Sequence, residues 1–156
     1  MKVEKLKEIG IGLLVVGLQV IFFRHLSIYS IQPDMVLVFL LWFMIRRNRT
    51  AAILMAALLG FTQDVILDQW GLNMFSKTIT VFILYRWIPE EYNGRLQLSR
   101  VIAFVFIAAL VHNTFFAALS SAVQIYSNGF LYWKIWLGNS FYTTLAAGII
   151  QLFRVE

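Results

Sequence analysis

Residues 101–125 read VIAFVFIAALVHNTFFAALSSAVQI, a run without a single Asp, Glu, Lys or Arg. Wound as a helix at about 1.5 Å per residue, it is roughly 37 Å long, more than the ~30 Å hydrocarbon core of a bilayer. A helix on the surface of a water-soluble domain needs a charged or polar face, and this one has none. The rest of the chain agrees. Of its 156 residues 60% are hydrophobic and 13% charged, against roughly 45–50% and about 25% in soluble globular domains, so the apolar surplus must face lipid. The chain lacks cysteine, which excludes disulfides, thiolate metal sites and a cysteine nucleophile.

Outward from this run the same pattern recurs. Residues 9–23 are uncharged and continue back to Leu6 across Lys7 and Glu8; further runs cover 35–45, 50–61 (to 67 if Asp64 is admitted), 72–88 with Lys77 and Arg86 inside, and 135–153. The reading is an all-α integral membrane protein in which residues 1–156 form a single transmembrane domain. Its six helices are expected near 6–23, 33–46, 50–67, 72–88, 100–125 and 135–153. A signal peptide competes for the first run, but Phe22-Phe23-Arg24-His25 follows it in place of a small-residue cleavage site. The second run spans only roughly 17 Å. It crosses if Pro33 starts the helix, Asp34 sits in the first turn where the dipole favours an anion, and Arg46 and Arg47 reach outward at the far end. The alternatives are local thinning of the bilayer or a re-entrant segment.

Charge placement gives the orientation. Lys2, Lys5, Lys7, Arg46, Arg47, Arg49, Arg86, Arg95, Arg100 and Arg154 fall on one side of the six-span arrangement, and Arg24 and Lys134 on the other. Excess positive charge marks the cytoplasmic side, so both termini are expected there. The net charge of +5 is thereby accounted for by orientation and contact with anionic membrane lipids, not by nucleic acid. The longest connections hold roughly ten residues, too few for a soluble domain, so any chemistry belongs to the bundle or its rim.

Residues 60–77, GFTQDVILDQWGLNMFSK, are the most informative stretch. Asp64 and Asp68 are four apart and are expected to stack on one helix face, with Gly71 reversing the chain. Asp64 and Lys77 lie at similar distances before and after Gly71, so an ion pair between them is expected; a lone charge at that depth would cost a few kcal/mol. The pair reads either as a proton or cation relay or partner-docking element, or as a staple closing a hairpin. His112 and Asn113 fall mid-helix and should face the bundle interior, opposite Asn139, Ser140, Tyr142, Thr143 and Thr144. They form either an interhelical hydrogen-bond network or a ligand or proton site. Ala52, Ala56 and Gly60, and again Ser140, Thr144 and Gly148, make ridges of small residues that allow close helix approach. Most of the tryptophans (Trp42, Trp70, Trp87, Trp133, Trp136) and tyrosines (Tyr29, Tyr85, Tyr92, Tyr126, Tyr132) lie near helix ends, as in an interfacial belt. No phosphate-binding loop, zinc-binding helix motif or serine elbow is present, and nothing in the sequence calls for a metal or cofactor.

Pro33-Asp34 opening the second run, Gly60 and Asp64 closing the third, and Gly71-Leu72-Asn73 with Ser76-Lys77 opening the fourth make the chain resemble the MreD family, the integral-membrane rod shape-determining proteins of bacteria. Phe61 replaces a more usual leucine. The resemblance implies a non-enzymatic scaffold of the cytoplasmic membrane that binds the periplasmic protein MreC. The wider elongation machinery contains the actin-like MreB, the glycosyltransferase RodA and its partner penicillin-binding transpeptidase. The family's architecture is similar to that of the six-helix substrate-binding S-components of energy-coupling-factor vitamin transporters. A transporter subunit is therefore the runner-up, and it would need a polar and aromatic pocket lined by residues such as His112, Asn113, Asn139 and Tyr142. An intramembrane enzyme, the third class, would have only Asp64 and Asp68 to draw on.

Overall fold

A computed structural model describes residues 2–23, 25, 31–89, 97–122 and 134–154. Among these there are six α-helices: α1 (Lys2–Leu18), prolonged by a π-helical turn over Gln19–Phe23; α2 (Met35–Arg46); α3 (Arg49–Leu67); α4 (Leu72–Leu84), ending in a 3-10 turn over Tyr85–Trp87; α5 (Leu98–Ala122); and α6 (Asn139–Arg154), preceded by a π-helical turn over Lys134–Gly138. The helix ends expected beyond residue 122, and Arg24, Tyr29, Tyr92, Arg95, Tyr126, Tyr132 and Trp133, lie outside the described residues.

The short second run is the hub. α2 touches each of the other five helices, and Val36, Leu37, Phe39, Leu40, Leu41, Phe43 and Met44 are all buried. A helix apolar all round its circumference can face lipid or protein; the burial of these side chains shows that this one is enclosed by protein, and at 12 residues it is only about 18 Å long. The helix does not begin at Pro33, as expected from the sequence. Asp34 is the N-cap and accepts from the Leu37 N–H at 2.9 Å, so the helix starts deep within the bundle. Around it, α3 lies on α4, α4 on α5 and α5 on α6.

The outward surface is apolar: Leu54, Val65 and Leu145 are each about two-thirds exposed, and Phe153 more so. Three helical stretches, Leu6–Phe23, Arg49–Leu67 and Leu98–Ala122, are long and apolar enough to cross a membrane. Exposed Trp70 and Trp87 flank α4 at its two ends, as an interfacial belt requires.

The basic connection gathers several helix ends. Arg47 donates to Glu8 of α1 at 2.6 Å, and that carboxylate holds the guanidinium pKa above its usual value. The Tyr85 hydroxyl donates to the Arg47 carbonyl, and the Arg49 guanidinium lies 4.4 Å above the Phe82 ring. The start of α1, the end of α2, the start of α3 and the end of α4 therefore share one end of the bundle. At the other end α3 turns into α4 through two left-handed residues, Asp68 (φ 55°) and Gly71 (φ 85°). A Cβ on Gly60 would lie 2.5 Å from the Met74 Cα, so α3 and α4 meet there at backbone distance. Ala52 and Ala56 are buried too, and the α6 ridge meets α5 at Ser140 and Gly148. Both ridges serve packing within the chain.

Candidate functional site

Beginning a helix halfway down a bundle leaves backbone N–H and C=O groups with neither water nor a preceding helical turn, and each must find a side chain. Residues 32–35 show how this is solved. Gln19, buried in the π-helical turn after α1, donates its amide to the Pro33 carbonyl and accepts the Met35 N–H, both at 2.8 Å. From α6, Asn139 Oδ1 accepts the Gln32 N–H at 3.0 Å and Thr143 Oγ1 accepts the Asp34 N–H at 2.9 Å.

This clamp holds the Asp34 carboxylate where α2, α4 and α5 converge. Lys77 Nζ is 2.8 Å from Asp34 Oδ2, and His112 Nε2 is 3.3 Å from the same oxygen. Lys77 is the largest fully enclosed side chain of the described protein, at 0% exposure. An ammonium in such a place is retained only with a paired, hydrogen-bonded partner, and it also donates to Asn73 Oδ1 at 2.9 Å. The expected Asp64–Lys77 ion pair is thus not formed: among the described residues the two are linked only through Asn73. Lys77 projects from α4 toward α2 and α5, a direction that its distance from Gly71 does not encode.

Asp64 has a different task. Its Oδ1 accepts the Asn73 N–H (2.9 Å) and side-chain amide (3.0 Å), and its Oδ2 accepts the Met74 N–H (2.8 Å). A buried carboxylate on α3 therefore caps the free N–H groups of α4, whose own N-cap residue, Gly71, has no side chain to do so. Asp68 does not stack on Asp64 as expected. It is the left-handed C-cap of α3, donating its N–H to the Asp64 carbonyl, and its side chain is exposed. His112 and Asn113 do face inward, and Asn113 donates to Ser140 Oγ at 2.8 Å. Tyr142 is half-buried and does not line the site.

Above the cluster, toward the α3–α4 turn, lies a cavity of about 420 Å³. Asp34 and His112 line it together with Gln63, Asp68, Asn113 and Asn139. Two buried polar atoms of residues in these walls, Gln63 Oε1 and His112 Nδ1, have no hydrogen-bond partner among the described residues. A carboxylate and an imidazole sharing a short contact at the floor of a polar cavity can hold or relay a proton; here the lysine on the same oxygen neutralises the carboxylate.

Gln19 and Gln63 escaped the sequence reading. Gln19 carried a signal, being the one strongly polar side chain within the uncharged run 9–23, where a polar group implies a buried partner. Gln63, beside Asp64 near the end of its helix, had none.

Among known proteins, the model of the family described as rod shape-determining protein MreD matches residues 9–155, nearly the whole chain. No curated protein and no solved structure matches.

Proposed function

The chain belongs to the MreD family of rod shape-determining proteins, and from that premise we propose that it is a non-enzymatic scaffold of the bacterial cell-elongation machinery. In this reading it lies in the cytoplasmic membrane, crosses six times with both termini in the cytoplasm, and binds MreC. RodA, the penicillin-binding transpeptidase and MreB belong to the wider complex. The observation that carries the reading is the family match across residues 9–155. The gathering of Arg47 and Arg49 with the start of α1 and the end of α4 supports the orientation. The α3–α4 turn, with exposed Trp70 and Asp68 on a rigid capped hairpin, is the surface offered to the partner's membrane-proximal segment.

Co-purification with MreC in mild detergent tests the reading. The native chain retains the partner, and Trp70→Ala with Asp68→Ala reduces retention while leaving the chain monodisperse. If the native chain retains no MreC, the reading fails. The polar cavity bearing His112, Asn113 and Asn139 is the one observation favouring a transporter subunit. A vitamin carried through purification, with no MreC retained, would select that function.

A further inference from the structure

We propose that the cavity above Asp34 is a binding site for a small primary amine, a molecule with an ammonium group on a short apolar body, entering from the end of the bundle where α3 turns into α4. The volume, about 420 Å³, lies within the range of small-molecule pockets. Its chemistry is one-sided. Asp34 and Asp68 line it, and among the described residues no lysine or arginine does; Lys77, which neutralises Asp34, is fully enclosed behind the wall. Asp68 has no ion-pair partner among the described residues, so the described lining carries one uncompensated negative charge, that of Asp68.

The unpartnered atoms ask for the same thing. His112 turns Nε2 to the Asp34 carboxylate; with the ring hydrogen assigned to that nitrogen, Nδ1 is an acceptor. Gln63 Oε1 is a second acceptor without a donor. Buried acceptors left unmet are costly, and an ammonium brings three donors with its positive charge. Val20, Ile66 and Phe116 form the apolar part of the lining and would receive the body of the ligand. The proposal does not rest on the scaffold reading; because Asp68 and the mouth at the α3–α4 turn are shared with the surface proposed for MreC, it is tested on the chain without MreC.

The test exploits the absence of native cysteine, which makes any introduced thiol unique. Full-length protein carrying Gln63→Cys, and separately Phe116→Cys, is reconstituted in lipid nanodiscs. Each is labelled with cationic methanethiosulfonate ethylammonium or its anionic ethylsulfonate counterpart, and rates are normalised to Gln97→Cys, an exposed position outside the cavity. The cationic reagent is expected to react about tenfold faster or more at the cavity positions, as field focusing in a cleft of one sign produces. n-Butylammonium should slow that labelling about threefold at twice its dissociation constant, and an equal concentration of sodium should not. Equal or faster labelling by the anionic reagent overturns the proposal. So does the absence of protection by n-butylammonium, or the absence of labelling at both positions in monodisperse protein. These outcomes leave MreC retention unaffected, so the two readings fail separately.

Discussion

Exchanging Asp34 for Asn removes the negative charge at the meeting point of α2, α4 and α5 while keeping a side chain that can still cap α2 through the Leu37 N–H. Lys77 would then be an ammonium at 0% exposure whose remaining hydrogen-bonded partner is the neutral Asn73 Oδ1 at 2.9 Å. Removing one member of a buried ion pair costs about 3–5 kcal/mol, and Asp34→Asn belongs near the upper figure because the stranded charge is fully enclosed. Lys77→Met belongs near the lower one: the stranded carboxylate keeps His112 Nε2 at 3.3 Å and is less deeply buried. The double variant leaves no unpaired charge and should cost less than either single change. The coupling energy then exceeds the larger single cost, about 5 kcal/mol. Reversible unfolding in detergent micelles, followed by tryptophan fluorescence, gives all four corners of the cycle. Additivity within about 0.5 kcal/mol would refute the pairing. So would a larger coupling in the parallel cycle of Asp64→Asn with Lys77→Met, where only Asn73 connects the two sites.

Gly60→Ala places a Cβ 2.5 Å from the Met74 Cα, a backbone atom that cannot turn aside, so the melting temperature should fall with a loss of at least 2 kcal/mol, within the roughly 1–3 kcal/mol range of overpacking. At Gly17, where a Cβ meets nothing within 4 Å, Ala should leave the midpoint unchanged or raise it. Gln19→Leu deprives the Pro33 carbonyl and the Met35 N–H of their partner at once, a loss of about 2–3 kcal/mol in the same assay; it should also speed hydrogen exchange at Met35. Asp64→Leu uncaps α4 and should speed exchange at the Asn73 and Met74 amides, with about 2 kcal/mol of destabilisation. Unchanged protection there would show that the carboxylate is not the cap.

The apolar runs made the helices legible, because lipid and a packed interior both demand uninterrupted hydrophobic length. The inward direction of His112 and Asn113 followed from the cost of presenting them to lipid. The partner of Lys77 did not follow. Its depth could be counted from Gly71, but its azimuth depends on where α2 and α5 stand relative to α4, and no local spacing records that. The shortness of the second run was equally ambiguous. A helix can be short because the bilayer thins around it or because other helices enclose it; contact of α2 with all five neighbours identifies the second cause. Gly60 and Asp64 are placed by the sequence at the close of the third run, yet their tasks, close approach and capping across the turn, required the position of Met74. The sequence offered His112, Asn113 and Asn139 as pocket residues, and all three line the cavity; that Asp34, Gln63 and Asp68 join them was not legible, since it depends on a π-helical turn in one element and a deep start in another.

The clamp on residues 32–35 has a consequence for how the chain is made. Two of its four hydrogen bonds come from α6, across sequence separations of 107 and 109 residues. Synthesis runs from the N-terminus, so the Gln32 and Asp34 amides emerge long before Asn139 and Thr143 exist to receive them. Until translation is nearly finished the nascent hub must keep those groups hydrated or lent to another acceptor, and a product truncated ahead of residue 139 would lack both acceptors, leaving a half-built interior for quality-control proteases to recognise.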